Sequence, residues 1–167
     1  MRRAPCDAAC MDTPTARLAA LDLPLPPLPP TAGSYVNAVQ SGSLLFLAGH
    51  VPIRADGSVV LGKLGAELTT ADGVEAARAA ALGALVTITH ALGTLDRVAR
   101  IARVLGVVNA TPDFTEHTHV VNGASDMFGA VFGDAGAHAR LAIGVASLPW
   151  NIALEIEVTL EIHAETR

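Results

Sequence analysis

From Ile152 to Ile162 the chain alternates. Ile152, Leu154, Ile156, Val158, Leu160 and Ile162 fall on one side, and Glu155, Glu157, Thr159 and Glu161 on the other. A period of two predicts a strand with one buried face. The preceding segment, Ala139–Ala146, has the same period, with Leu141, Ile143 and Val145 expected to face the core. Arg140, Ala142, Gly144 and Ala146 would then face outward with the glutamates. Leu148-Pro149 supplies a turn between the two, so they read as a closing hairpin. In that hairpin Arg140 lies nearly opposite Glu157 and diagonal to Glu155, where opposite charges stabilise by about 0.2–1 kcal/mol.

Upstream, the period changes to that of a helix in two places. Val74, Ala77, Ala81, Leu85 and Ile88 recur at helical spacing, with Thr70 or Asp72 as cap and an end near Gly93. Val120, Val121, Ala124, Met127, Phe128 and Val131 form the stripe of a second helix over about Glu116–Phe132, opened by a capping-box pair at Asp113 and Glu116. Strands are predicted at Ser34–Val39, Leu44–Ala48, Ser58–Leu61 and Val98–Val108, with turns at Ser41-Gly42 and Asp56-Gly57. A short helix over Thr13–Leu21 starts from Thr13 as N-cap and Pro14 at the first helical position. Four prolines and two leucines follow it within Pro24–Pro29, and Pro30 extends the run, a composition that favours polyproline II. The expected organisation is an N-terminal extension, 1–30, followed by one domain, 31–167.

The order β-β-(β)-α-β-α-β-β describes an α+β domain, one sheet with two helices on one face. Leu44–Ala48 and Val104–Val108 carry apolar residues at consecutive positions, so they require burial on both faces. A second copy of the chain is the simplest cover for the face the helices leave open. Composition agrees: 51% of the 167 residues are apolar. No apolar run approaches the roughly 18 residues of a membrane span.

Charge and cysteine content narrow the function classes. The net charge is −5 and Lys63 is the only lysine, which disfavours nucleic acid as a partner, since phosphates need clustered cations. Arg97, Arg100 and Arg103 form the one loose basic cluster. Cys6 and Cys10 lie in a segment read as an unstructured lead, too few for a disulfide framework. The start lacks an apolar signal core, so a cytoplasmic protein is expected. His117 and His119 stand two apart, which on a helix points them apart, and no metal or other cofactor is expected. Arg140 beside small residues reads either as half of a cross-strand ion pair or as the grip of an anion pocket, its planar fork matching a carboxylate.

The run Ala139-Arg140-Leu141-Ala142-Ile143-Gly144-Val145-Ala146-Ser147-Leu148-Pro149, followed by Leu154-Glu155-Ile156-Glu157, resembles the C-terminal signature of the Rid family. These are the YjgF-like reactive-intermediate deaminases, also labelled endoribonuclease L-PSP. Gly33-Ser34-Tyr35-Val36, Leu47-Ala48-Gly49-His50-Val51-Pro52 and Val121-Asn122-Gly123 resemble three further family motifs in the same order. The resemblance implies a chorismate-mutase-like fold and a homotrimer with a central barrel and clefts between subunits. It implies hydrolysis of small 2-imino or enamino acids to 2-keto acids and ammonia, or, as the alternative, a non-catalytic trimer that binds such metabolites. By the same resemblance Arg140 holds the substrate carboxylate, Glu155 orients water, and Tyr35, Gly49 and Ala142 line the ligand. Asn122 would reach the cleft from the neighbouring subunit. The chain departs from typical members at Ala142 in place of cysteine, Ala48 in place of serine, His50 in place of glutamine, and His138 in place of a small residue or proline.

Overall fold

The computed structural model describes residues 12–164; Cys6, Cys10 and most of the N-terminal lead lie outside them. Helix α1 spans Pro14–Ala20. Strands β1 (Ala38–Ser41) and β2 (Leu44–Leu47) follow, then the long helix α2 (Thr70–Leu92), strand β3 (Val98–Asn109), helix α3 (His117–Phe132), and strands β4 (Ala139–Val145) and β5 (Leu154–Ile162). The sheet order is β1-β2-β5-β3-β4.

Most element ends follow from local chemistry. Thr13 caps α1 by accepting from the Ala16 amide, and Pro14 opens the helix. Gly42, at φ 61°, begins the two-residue loop between β1 and β2. The cap of α2 is Thr69, not Thr70 or Asp72. Its hydroxyl takes the Asp72 amide while the Asp72 carboxylate takes the Thr69 amide, a reciprocal capping box. Gly93 ends α2 in the left-handed conformation. Asp113 and Glu116 do not form the expected box: Glu116 itself stands at the cap of α3 and its carboxylate accepts from Thr70. The predicted apolar stripe of α3 is buried throughout.

Two predicted strands change. The Ser34–Val39 strand begins only at Ala38, because the segment before it bonds locally: the Ala32 amide to the Tyr35 hydroxyl, Tyr35 to Gly33, and Asn37 to the Pro29 carbonyl. Ser58–Leu61 makes isolated bridges, Val59 with Ile53 and Leu61 with Ile152, and is no strand of the sheet.

The larger correction concerns β4. It does not pair with β5. It lies parallel to β3, while β5 lies antiparallel on β3's other side. The cause is connectivity: β3, α3 and β4 form a β-α-β crossover, which seats the returning strand beside the first. Arg140 therefore stands opposite Val104, in the row of Val158, and not opposite Glu157. Val104 and Val158 are fully buried beneath the helices, so Arg140 and Ala142 belong to the helix-covered face. Leu141 and Ile143, expected in the core, instead share the opposite face with Glu157 and Glu155 and are 47% and 39% exposed.

Helices α2 and α3 cover one face of the sheet, as expected. Buried Ala76, Ala77, Ala80, Ala81 and Ala84 allow α2 to pack closely. On α3 a side chain at Gly123 would overlap the Val74 carbonyl oxygen of α2. The uncovered face carries Leu44, Phe46, Leu141 and Ile143, all exposed, beside half-buried Leu105 and Val107. Among the described residues no helix is long and apolar enough to cross a membrane.

Gly123 and Gly129 lie on the same helix in opposite circumstances, since a Cβ at Gly129 meets nothing within 4 Å. Gly123→Ala is expected to destabilise by about 1–3 kcal/mol through overpacking. Gly129→Ala is expected to stabilise by about 0.5–1 kcal/mol through helix propensity. Urea denaturation of the two variants checks both signs.

Candidate functional site

The crossover puts Arg140 under α3, and three groups at helical spacing meet it there. Its Nη1 donates to Asn122 Oδ1 at 2.8 Å and to Ser125 Oγ at 2.9 Å, and its Nη2 donates to the Thr118 carbonyl at 3.3 Å. Thr118, Asn122 and Ser125 are four and three residues apart, one face of a helix. All three partners are neutral, and among the described residues Arg140 has no carboxylate within ion-pair distance. Three of the five N–H donors of a guanidinium are thus engaged, and two have no bond among the described residues.

Behind Arg140, His138 completes a directed chain. Its Nδ1 donates to the Gly136 carbonyl at 2.6 Å, which leaves Nε2 of the neutral ring to accept from Ser125 Oγ at 3.0 Å. The serine proton thus points at the imidazole and its lone pairs at Arg140. Phe128 holds the ring edge-on, with centroids 6.0 Å apart.

The small residues beside Arg140 are mostly the seat of α3, not an open hollow. Ala142 packs against the core. A side chain at Gly106, its neighbour on β3, would overlap Val121, and one at Gly144 would overlap the His117 ring. His117 is itself held edge-on by Phe114, while His119 is exposed. Among the described residues no three His, Cys, Asp or Glu side chains gather as a metal site.

Tyr35, Gly49 and Glu155 assemble elsewhere, in a groove of about 570 Å³. Gly49 follows β2, and His50 bridges to Ile156, so the backbone of residues 49–50 runs alongside Glu155. The Glu155 carboxylate lies across Gly49 so closely that any side chain at that position would overlap it. Desolvation, and then the charge of Glu157, push the Glu155 carboxyl above its ordinary range. The Tyr35 hydroxyl accepts from Ala32, which leaves its proton free to donate. His50 is buried and spent on structure, bonded to the Ala48 carbonyl and to Thr87, both at 2.8 Å. Burial holds its pKa below the usual imidazole value, and it faces neither group of candidates.

The candidates thus divide in two. Arg140, Asn122 and Ala142 lie on the helix-covered face. Glu155 lies on the opposite face, in register with Val107 and Ile143, and shares its groove with Tyr35 and Gly49. One chain does not bring Arg140 to Glu155. Asn122, expected to serve a neighbouring subunit, binds Arg140 of its own chain, because β4 docks directly beneath α3. The sequence reading missed Ser125 and Thr118, although their helical spacing from Asn122 was available.

A family model described as YjgF/chorismate mutase-like matches residues 15–161. The chain belongs to this family. Its sequence is similar to that of Protein TCP17 from Trypanosoma cruzi, 43% identical over 149 residues, which are 89% of this chain and 93% of that protein. Among solved structures it resembles Atu1372 from Agrobacterium tumefaciens, with TM-score 0.83, 35% identity, and coverage of 93% of this chain and 96% of that one. It also shares the fold of Escherichia coli TdcF, solved with bound serine, at TM-score 0.58 and 23% identity over 84% and 94% of the two chains. The five-stranded mixed sheet is therefore the YjgF fold, and the Rid resemblance of the C-terminal signature holds at the level of the family.

Within this family fold the raised carboxyl of Glu155 has a stability consequence. A carboxyl whose folded pKa lies above its unfolded value favours folding below the unfolded pKa and loses that contribution as pH rises through the folded one. Glu155→Gln is therefore expected to be more resistant to urea than the parent at pH 7.5, with the gain shrinking toward pH 4. Midpoints measured at the two pH values check the sign.

Proposed function

We propose that this chain hydrolyses small 2-imino or enamino acids to 2-keto acids and ammonia, in clefts that two copies build together. One copy supplies Arg140 with Asn122; the other supplies Tyr35, Gly49 and Glu155. The observation that carries this reading is the guanidinium of Arg140, half-buried, oriented by three neutral acceptors and without a carboxylate partner among the described residues. Such a group is prepared for an external acid. Its placement on the face opposite Glu155 calls for a second copy to complete the site. The exposed apolar face with Leu141 and Ile143 supplies an interface, and a closed homotrimer satisfies both needs.

The chemistry asks little of the protein. The substrate carboxylate takes the two open donors of Arg140, which fixes the imine carbon at the cleft. Water attacks that carbon, forming the C–O bond while the C=N electrons go to nitrogen. With the imine nitrogen protonated, one proton of the water passes to Glu155 as the carbinolamine forms. Glu155 returns it to the amine, and ammonia leaves as the hydroxyl oxygen's electrons form the C=O bond and its remaining proton goes to solvent. A carboxyl held above its ordinary pKa suits both halves of that transfer. A protein of the same fold, TdcF, has been seen with serine, itself a small amino acid, bound. A second reading, a trimer that binds 2-keto acids without turnover, is favoured by Ala142 and Ala48, where typical members carry cysteine and serine.

Ammonia release from enzymatically generated 2-aminoacrylate and 2-iminobutanoate tests the reading. Wild type is expected to exceed the spontaneous rate by orders of magnitude, and Arg140→Ala to return to it. A wild-type protein that binds 2-keto acids yet gives no acceleration would establish the second reading instead. Mixed oligomers of Arg140→Ala and Glu155→Gln are expected to recover roughly a quarter of wild-type activity, the statistical share of clefts with both native groups. Without recovery, the two groups do not meet across copies. Charge on the uncovered face, in Leu141→Glu with Ile143→Glu, is expected to reduce the sedimentation mass to one chain.

A further inference from the structure

The groove beside Glu155 is far larger than an acid of three or four carbons requires. Its volume of about 570 Å³ lies within the range of sites that enclose drug-sized molecules. Its walls are apolar: Pro29, Val51, Val59, Leu61 and Trp150 line it, and Glu155, Tyr35 and Asn37 are its few polar groups. A large apolar hollow with a few convergent polar groups is the usual composition of a small-molecule site.

Two features show that the hollow is built. The proline-rich segment forms one wall and is pinned there. Asn37 Nδ2 donates to the Pro29 carbonyl at 2.7 Å, and the Ala32 amide donates to the Tyr35 hydroxyl at 3.1 Å. Trp150 stands at the rim, 71% exposed, on a backbone held at φ 52°, with Asn151 after it at φ 60°. A bulky residue at positive φ is an outlier, and such strain concentrates at functional positions. The strain here presents an indole ring to the mouth of the groove.

We infer that the acid this protein takes carries a bulky apolar side chain, aromatic or branched aliphatic, which fills the groove between the proline segment and Trp150. The inference rests on the proposal that Arg140 of a neighbouring copy holds the carboxylate. It adds a substrate preference: 2-imino acids of the size derived from phenylalanine or leucine are taken more tightly than those derived from serine or threonine. The proline-rich extension is then a specificity element, because it supplies the wall that closes the groove.

Trp150 is the only tryptophan in the chain, so its fluorescence reports on this groove alone. The intact oligomer is titrated with 2-oxo acids, stable products of the proposed reaction, whose side chains run from methyl through ethyl and isobutyl to phenylmethyl. The expected result is a change in Trp150 emission and a dissociation constant falling at least about tenfold from the methyl to the phenylmethyl acid. Leu61→Gln, at a half-exposed position, is expected to remove most of that preference by weakening the phenylmethyl acid at least several-fold more than the methyl acid. Trp150→Gly, followed by calorimetry, is expected to do the same and to relieve the backbone strain. An affinity that is flat or falls with side-chain size, while Arg140→Ala still abolishes binding of the methyl acid, would overturn the inference and leave the acid-binding proposal standing. Equal binding of the phenylmethyl acid to wild type and Arg140→Ala would show an apolar groove unconnected to the arginine, and also overturns it. Binding of none of these acids removes both.

Discussion

Everything about the site depends on the parallel pairing of β4 with β3. That pairing is imposed by α3, the crossover between them, and it decides which face of the sheet each side chain of β4 takes. Had β4 formed a hairpin with β5, Arg140 would have faced Glu157 and spent its charge in a cross-strand ion pair. Under the crossover it faces α3 instead, where Asn122, Ser125 and the Thr118 carbonyl receive it. Close approach of α3 to the sheet makes those contacts possible, and Gly106 permits it, since a side chain there would overlap Val121. The small residues near Arg140 and the arginine itself are therefore one arrangement: the former let the helix down and the latter meets it.

The elements were legible because periodicity reports burial directly. The stripe of α3, the span of α2 and its end at Gly93, the alternation of β5, and α1 with Thr13 and Pro14 were all recoverable from side-chain pattern and capping chemistry. The partner of β4 was not, because alternation gives a strand's two faces without saying which is inward. In β4 both faces are apolar or small apart from Arg140. The more hydrophobic set, Leu141 and Ile143, lies on the face that the helices leave uncovered, so hydrophobicity there does not mark the core. Leu44–Ala48 and Val104–Val108 did not decide it either: consecutive apolar residues ask for two covers whichever face is which, and only the helix-covered face has its cover within the chain.

For the candidate site, single residues could be named from the sequence, but not which of them share a face. Arg140 and Glu155 could be picked out from the C-terminal signature, but their separation onto opposite faces depends on pairing. His50 illustrates the converse. It sits in a motif beside Gly49, yet its ring is buried between Ala48 and Thr87, so adjacency in sequence to a groove residue placed it behind the groove wall. The proline-rich segment was legible as stiff chain. What it packs against follows only from Asn37 and Tyr35, whose hydrogen bonds fasten it to the groove.

The division of Arg140 and Glu155 between two faces has its own physical logic. A guanidinium and a carboxylate that could meet within one chain would form a charge-assisted pair, and a ligand carboxylate would have to displace it. Kept apart, each group remains in the state that the proposed reaction requires. Arg140 is oriented by neutral acceptors that do not cancel its charge. Glu155 is desolvated beside Gly49 and close to Glu157, so its proton is held more tightly than usual. In the proposed assembly a second copy brings the two within one cleft around a ligand, whose carboxylate answers the arginine and whose nitrogen answers the carboxyl. Assembly would then complete the site without quenching it, because the ligand occupies the space in which the pair would otherwise close.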